Sequence, residues 1–294
     1  MVRCAGEAQP GSGEYRIRVG AITIGLRASP RRYRRMFPLY FGVPSAPGEP
    51  EIRLVVRVTR DMVDEALPDS LYYGKRITNE GFACAGGLVR GRHLPGAGVE
   101  LRVPLQLVTG RAMRVFEHLL HQAFHMASRV RGDDSFLIHA AGVVRGGAGY
   151  LFVGPSGSGK STIAILSRGD RVLNDEICMV GLSDRPPRLH GTPFNGFFRD
   201  KVEADAPLRA VLLLSKADEH RLLPVSPGEA VSAIFQQVVP PVALNEPVDK
   251  AAYGRMLDAA GRLVERVPVY RLEFREEAGF WSLLDGIEGK GGLA

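Results

Sequence analysis

The sequence predicts an α/β protein: a mixed sheet with helices packed on it, behind a small β-rich N-terminal domain. Three observations carry that expectation. Gly154-Pro-Ser-Gly-Ser-Gly-Lys-Ser161 is a full match to the phosphate-loop pattern G-x-x-x-x-G-K-[ST], with the apolar run Tyr150–Val153 before it and a helical pattern after it. Between Tyr15 and Val103, short apolar stretches are broken by glycine and proline, as in a set of short strands. Between Thr109 and Arg131 the apolar spacing changes to a helical period through Met113, Phe116, Leu119, Leu120, Ala123, Phe124 and Ala127.

Composition bounds the function. The 294 residues are 45% hydrophobic and 24% charged, enough to bury a sizeable core in a water-soluble chain. The net charge of +6 is carried by arginine, with lysine only at 75, 160, 201, 216, 250 and 290. That excess suits anionic ligands, and no nucleic-acid partner is expected from it. Cys4, Cys84 and Cys178 are far apart and odd in number, which predicts reduced thiols in a cytoplasmic protein. No apolar run approaches the length of a membrane span, so no membrane partner is expected.

Taken in order, residues 1–14 are glycine-rich and polar and read as a frayed tail. Alternation from Tyr15 to Leu26 predicts a strand pair, and Glu51–Val58 another strand. The basic run Arg31-Arg-Tyr-Arg-Arg35, flanked by Pro30 and Pro38, reads as a solvated loop. Weaker strands follow between Leu71 and Val103, and nothing in residues 1–105 carries a catalytic pattern. Thr109 is placed to cap the helix that Gly132-Asp-Asp134 ends. His118, His121 and His125 lie on that helix, the last two four residues apart. No carboxylate or cysteine accompanies them in a zinc pattern, so they read as core or surface histidines. Phe136–Val144 is a buried strand, and Gly146-Gly-Ala-Gly149 returns the chain to the phosphate loop.

The loop's chemistry follows from its residue types. Glycines let the backbone turn sharply with its N–H groups aimed at phosphate oxygens. Gly154, Pro155, Ser156, Gly157, Ser158, Gly159, Lys160, Ser161 and Thr162 are the candidate nucleotide-binding residues. Lys160 is placed to reach the terminal phosphates and Ser161 to ligate Mg²⁺. A short helix through Ile163–Leu166 leads to the strand Arg171–Leu173, which delivers Asn174-Asp175-Glu176 only fifteen residues after Lys160. Two adjacent acids can divide the work, one holding Mg²⁺ and one taking the proton of an attacking hydroxyl. Asp175 and Glu176 are therefore the candidates, beside Ser161, for holding the metal and, one of the two, for taking the proton. Beyond them, Arg188–Phe194 reads as a turn, Ala210–Leu214 and Leu222–Val225 as strands, and Ala230–Val238 as a helix capped through Ser226-Pro-Gly-Glu229. Lys250–Glu265 reads as an amphipathic helix, Val267–Phe274 as a strand and Gly279–Ile287 as a closing helix. The domains are read as 1–130 (β-rich, ending in the helix), 131–288 (nucleotide-binding) and a loose tail at 289–294.

These residues resemble the HPr kinase family and its relatives in the phosphoenolpyruvate carboxykinase-like superfamily. The resemblance rests on His139 in Ile-His-Ala-Ala-Gly, the loop Gly154–Thr162, Asn174-Asp175-Glu176 and the turn Gly191-Thr-Pro-Phe194, over roughly residues 135–285. The downstream runs look like those of HPr-kinase-like proteins of bacterial biosynthetic clusters, such as lasso-peptide kinases. It implies a P-loop kinase using ATP and Mg²⁺ on a hydroxyl, serine of a protein or peptide. It also implies a homo-oligomer, with His139 near the transferring phosphate, Asp175 as base, and Glu176 with Ser161 on the metal. The signature of true HPr kinases, an acidic residue and an Arg-Gly pair downstream, is replaced by His190-Gly191-Thr-Pro-Phe194. Three alternatives stay open: a non-catalytic ATP-binding module that recruits a partner, a small-molecule kinase, and a carboxykinase-like enzyme.

Overall fold

The computed structural model describes residues 13–42, 45–60, 75–78, 81–96, 98–108 and 113–287. The Thr109 cap, residues 1–12 of the expected 1–14 tail, the tail at 289–294, and residues 71–74 of the expected strand region lie outside them. Glu14, expected in the frayed tail, is instead buried, because Arg16, Arg27 and Arg53 pair with its carboxylate. Within the described residues the chain is mixed α/β, with two mixed sheets and few helices. It divides into two compact units, Met1–Ala127 with Val242–Val248, and Ser128–Pro241 with Asp249–Ala294.

The first unit is built on seven strands: β1 (Tyr15–Val19), β2 (Ile22–Ser29), β3 (Ile52–Thr59), β4 (Arg76–Thr78), β5 (Gly81–Cys84), β6 (Val89–Leu94) and β7 (Gly98–Pro104). Their order in the sheet is β1-β2-β3-β7-β6-β5-β4. β2, β3 and β7 run parallel, and the outer pairs are antiparallel. Period-two alternation assigns the two faces. Ile24, Leu26, Leu54, Val56, Val99 and Leu101 are fully buried, whereas their neighbours Arg27, Arg57 and Arg102 are exposed.

The run Arg31–Arg35 is not a loop. It forms a 3-10 turn that leads directly into α1 (Met36–Phe41). Phe37 and Phe41 lie four apart on one face and bury themselves against Tyr15, at ring distances of 6.1 and 6.2 Å. Phe37 also stacks on Phe116 of α2 (Met113–Arg131) at 6.3 Å. The basic side chains of the turn stay outside while the next two aromatics hold it in place, a tertiary anchor that local charge does not announce. His121 and His125 are buried on α2. Among the described residues no group of three or more His, Cys, Asp or Glu gathers around a common point. Lys75 donates to Gln122 Oε1 at 2.7 Å and to the Ala243 carbonyl at 2.8 Å, joining the returning segment Val242–Val248 to this unit. Burial lowers the Lys75 pKa to about 8.

The second unit holds β8 (Ser135–Arg145), β9 (Ala148–Val153), α3 (Lys160–Leu166), β10 (Arg171–Asn174), β11 (Ile177–Gly181), β12 (Arg188–His190), β13 (Asp205–Lys216) and β14 (Arg221–Pro224). It continues with α4 (Pro227–Phe235), α5 (Lys250–Arg266), β15 (Val269–Phe274) and α6 (Trp281–Leu284). β9 and β15 flank β13 in parallel, and β8 is antiparallel to β9, β10 and β11. β11 and β12 then bridge from β8 back to β13. The expected turn at Arg188–Phe194 therefore opens with a short strand, because Arg188–His190 pairs on both sides.

Two cores sandwich this sheet. On one face Ile234 of α4 and Met256, Ala260 and Leu263 of α5 pack on β8 and β13. On the other, Ile163 of α3 meets Phe152, Phe274, Phe280 and Trp281, with Phe152 edge-on to Phe280 and Trp281 at 6.1 and 5.7 Å. The cap expected at Ser226 is present, and α5 carries a second cap, not among those expected, at Asp249. Ser226 accepts from the Glu229 N–H, and Asp249 accepts from the Ala252 N–H. Among the described residues no helix is long and apolar enough to cross a membrane.

Cys84 and Cys178 are free thiols, each at most 1% exposed. Burial raises the Cys84 pKa to about 12 and pushes Cys178 up as well. Titration of the native protein with a thiol reagent at neutral pH should leave both unreacted until denaturant is added. Rapid modification of either in the folded state would contradict their burial.

Candidate functional site

The phosphate loop occupies the link between β9 and α3. β9 ends at Val153, paired with Leu213 of β13, so the chain leaves the sheet beside two parallel strand ends. Gly157 and Gly159 take φ of 81° and 103°, a region that disfavours side chains. Gly159 has a second constraint, since a Cβ there would lie 2.6 Å from the Phe274 ring. Pro155, Ser156 and Gly157 are exposed, and Ser161 and Thr162 are half-buried on the first turn of α3. Lys160 Nζ folds back to the carbonyls of Gly154 and Pro155 at 2.8 and 3.0 Å. The Ser158 hydroxyl is buried and has no hydrogen-bond partner among the described residues.

The acid turn follows one short strand later and is organised by Asn174, which is fully buried. Its amide nitrogen donates to the Thr192 carbonyl and hydroxyl at 3.1 and 3.2 Å and to the Phe194 carbonyl at 2.8 Å. Its amide oxygen accepts the N–H groups of Glu176 and Ile177 at 2.8 and 3.2 Å. The Thr192 hydroxyl donates onward to the Ile177 carbonyl at 2.6 Å. One side chain thus ties the end of β10, the start of β11 and the segment after β12 together.

The two carboxylates meet different surroundings. Asp175 is 1% exposed, and its oxygens accept the N–H groups of Phe197 and Phe198 at 3.2 and 3.1 Å. Gly196 passes so close that a Cβ there would lie 1.9 Å from Asp175 Oδ1. The Glu176 side chain is 40% exposed, and its Oε1 lies 3.7 Å from His139 Nδ1. β8 and β11 set that meeting, because Ile177 pairs with His139 across the antiparallel register. Burial, then the Lys160 charge, holds His139 below the usual histidine pKa. Burial also lowers Lys160, against the opposing pull of Glu176 and Asp175. Lys160, Asp175, Glu176 and His139 therefore share one electrostatic neighbourhood.

Of the two acids expected to serve the metal and the acceptor, only Glu176 has a partly exposed side chain. Asp175 is turned inward to carry backbone N–H groups, because the segment Asn195–Phe198 folds over it. The residues that hold this segment were not singled out as site residues. Lys201 donates to the carbonyls of Pro193 (2.7 Å) and Phe194, and Arg168 lies over the Phe198 ring at 5.9 Å. Phe197 points outward, 72% exposed. The available signal was compositional: Lys201 is one of six lysines, in a loop with Asn195-Gly196 and two adjacent phenylalanines.

The donor set suits a small hard cation. Mg²⁺ keeps most of its waters and takes one or two carboxylates besides phosphate oxygens, and Ser161 with Glu176 offers a hydroxyl and an open carboxylate near the loop. Glycine-shaped backbone, a lysine hydrogen-bonded to carbonyls and a hydroxyl with no partner among the described residues suit a polyphosphate.

Residues 109–288 match the family model described as SynChlorMet cassette protein ScmC. No curated protein matches the sequence. Among solved structures, the HPr(Ser) kinase/phosphatase from Coxiella burnetii aligns at 16% identity over 44% of this chain and 88% of its own, with a TM-score of 0.23. At so low a score the fold rests on this chain's own strand order.

Asn174→Ala should cost about 3 kcal/mol, since it leaves several buried polar groups unpaired. Urea unfolding followed by fluorescence of the single tryptophan, Trp281, reads this in the same unit. Unchanged stability would contradict the role of Asn174 as the organiser of the turn.

Proposed function

We propose, for a chain that belongs to the SynChlorMet cassette protein ScmC family, an ATP- and Mg²⁺-dependent kinase that phosphorylates a serine hydroxyl of a protein or peptide. The observation that carries this reading is the convergence of the glycine-shaped loop Gly154–Thr162 with Glu176 and His139 at one end of one sheet. In this proposal residues 131–288 form the catalytic domain, with a P-loop core of the HPr kinase-like type, and residues 1–130 a separate β-rich domain. The resemblance to lasso-peptide kinases makes a peptide product the favoured acceptor.

The roles follow from the surroundings of each group. Loop N–H groups and Lys160 bind the β- and γ-phosphates and stabilise the charge that grows on the leaving oxygen. Lys160 exchanges the Gly154 and Pro155 carbonyls for phosphate oxygens. Ser161 and Glu176 would hold Mg²⁺, which supplies charge neutralisation between the phosphates when bound. His139, beside Glu176, faces the acceptor and takes the hydroxyl proton. Asp175, expected from sequence to be that base, instead acts as a positioning residue: its carboxylate fixes Asn195–Phe198 through two N–H bonds. The loose transition state of phosphoryl transfer asks mainly for orientation and charge stabilisation, which a rigid turn supplies.

The test is transfer of label from γ-labelled ATP, with Mg²⁺, to the proteins and peptides encoded in the same cassette. Labelled serine on one of them, abolished by Lys160→Ala, is the expected result. ATP binding without label on any acceptor, or label retained in Lys160→Ala, would overturn the reading. A second measurement separates base from positioning residue. Asp175→Asn should slow transfer at least about tenfold while leaving the shape of the pH–rate profile unchanged, whereas His139→Gln should remove its acidic limb. Loss of that limb in Asp175→Asn alone would return the base role to Asp175.

A further inference from the structure

We propose that the exposed face of the seven-stranded sheet in the first unit docks an extended acidic polypeptide segment. The face carries a cross-strand row of arginines. Arg57 of β3 pairs in register with Arg102 of β7, Arg102 with Arg90 of β6, Arg90 with Ala83 of β5, and Ala83 with Arg76 of β4. All four arginines are exposed. Adjacent strands lie about 4.8 Å apart, so Arg57, Arg102 and Arg90 stand as immediate neighbours in line. Like charges placed directly opposite one another destabilise a sheet.

Among the described residues, acids on this face relieve that repulsion at Arg57 alone. Glu100, 6% exposed, is gripped by Arg57 and by Arg92, the latter at 3.0 Å. Glu14, 3% exposed, is held by Arg16, Arg27 and Arg53 at 3.0, 2.9 and 3.3 Å. Each buried carboxylate thus anchors several arginines, and the surplus positive charge faces solvent. Among the described residues no acid pairs with Arg76, Arg90 or Arg102. A repulsion that the fold leaves in place is relieved when carboxylates come from outside.

The chemistry of the face selects the occupant. Its cations are guanidinium groups, whose planar forks take carboxylates through two parallel hydrogen bonds. The described residues of the arginine-bearing face include no exposed aromatic side chain on which bases could stack, which disfavours single-stranded nucleic acid. The proposal does not depend on phosphate transfer by the second unit.

Fluorescence anisotropy of the full-length protein with a labelled oligoglutamate peptide tests it, with a single-stranded oligonucleotide of matched charge as the competing probe. We expect the peptide to bind, to weaken with added salt, and to lose at least about tenfold in affinity in the double variant Arg90→Gln/Arg102→Gln. Lys160→Ala should bind it as the parent does. The melting temperature of the double variant should match or exceed that of the parent, because the substitutions remove an unrelieved repulsion. Equal peptide affinity in parent and double variant, tighter binding of the oligonucleotide, or a lowered melting temperature would each overturn the proposal.

Discussion

The candidate site depends on one buried amide. Asn174 sits where β10 gives way to β11, and its side chain completes the hydrogen bonding of a turn that backbone pairing alone leaves open. A buried polar group costs free energy unless it is paired, so a fully paired one specifies its surroundings strongly. The donors and acceptors of Asn174 come from three separate segments, and only one arrangement of them satisfies all. That arrangement turns Asp175 inward, leaves Glu176 open and holds Thr192–Phe194 beside both.

The phosphate loop is placed by a different part of the same sheet. Parallel pairing of β9, β13 and β15 brings three strand ends together, and the Phe274 ring closes against Gly159 from beneath. The aromatic core of Phe152, Phe280 and Trp281 then supports the strand that feeds the loop. β8 joins the two halves, since it pairs with β9 on the loop side and with β11 on the acid side. His139 is the residue of β8 at which the β11 pairing ends, next to Ala140 where the β9 pairing begins. Its meeting with Glu176 is a consequence of register, and a slip by one residue would turn it to the opposite face.

Much of this was legible in the sequence because it is local. The loop Gly154–Ser161 is a contiguous pattern, the strand pair after Tyr15 follows from alternation, and the cap at Ser226 comes from residue type. What was not legible depends on distant partners. Arg31–Arg35 reads as solvated because the anchors of its turn, Tyr15 and Phe116, lie elsewhere in the chain. Arg188–His190 is a strand only because β11 and β13 flank it. Asp175 and Glu176 are adjacent carboxylates in sequence, and nothing local says which is covered; the cover is Asn195–Phe198, some twenty residues on. The return of Val242–Val248 to the first unit shows in the burial of Val242, Ala243 and Leu244 and in the bond from Lys75 to the Ala243 carbonyl.

The central claim is that the loop and Glu176 form one site for a nucleotide and its metal. Calorimetric titration of ATP, with and without Mg²⁺, into the parent protein and Glu176→Gln tests this most directly. Mg²⁺ should tighten ATP binding to the parent, the variant should lose this gain, and metal-free binding should be the same in both. An equal gain from Mg²⁺ in both proteins would separate Glu176 from the loop and contradict the account.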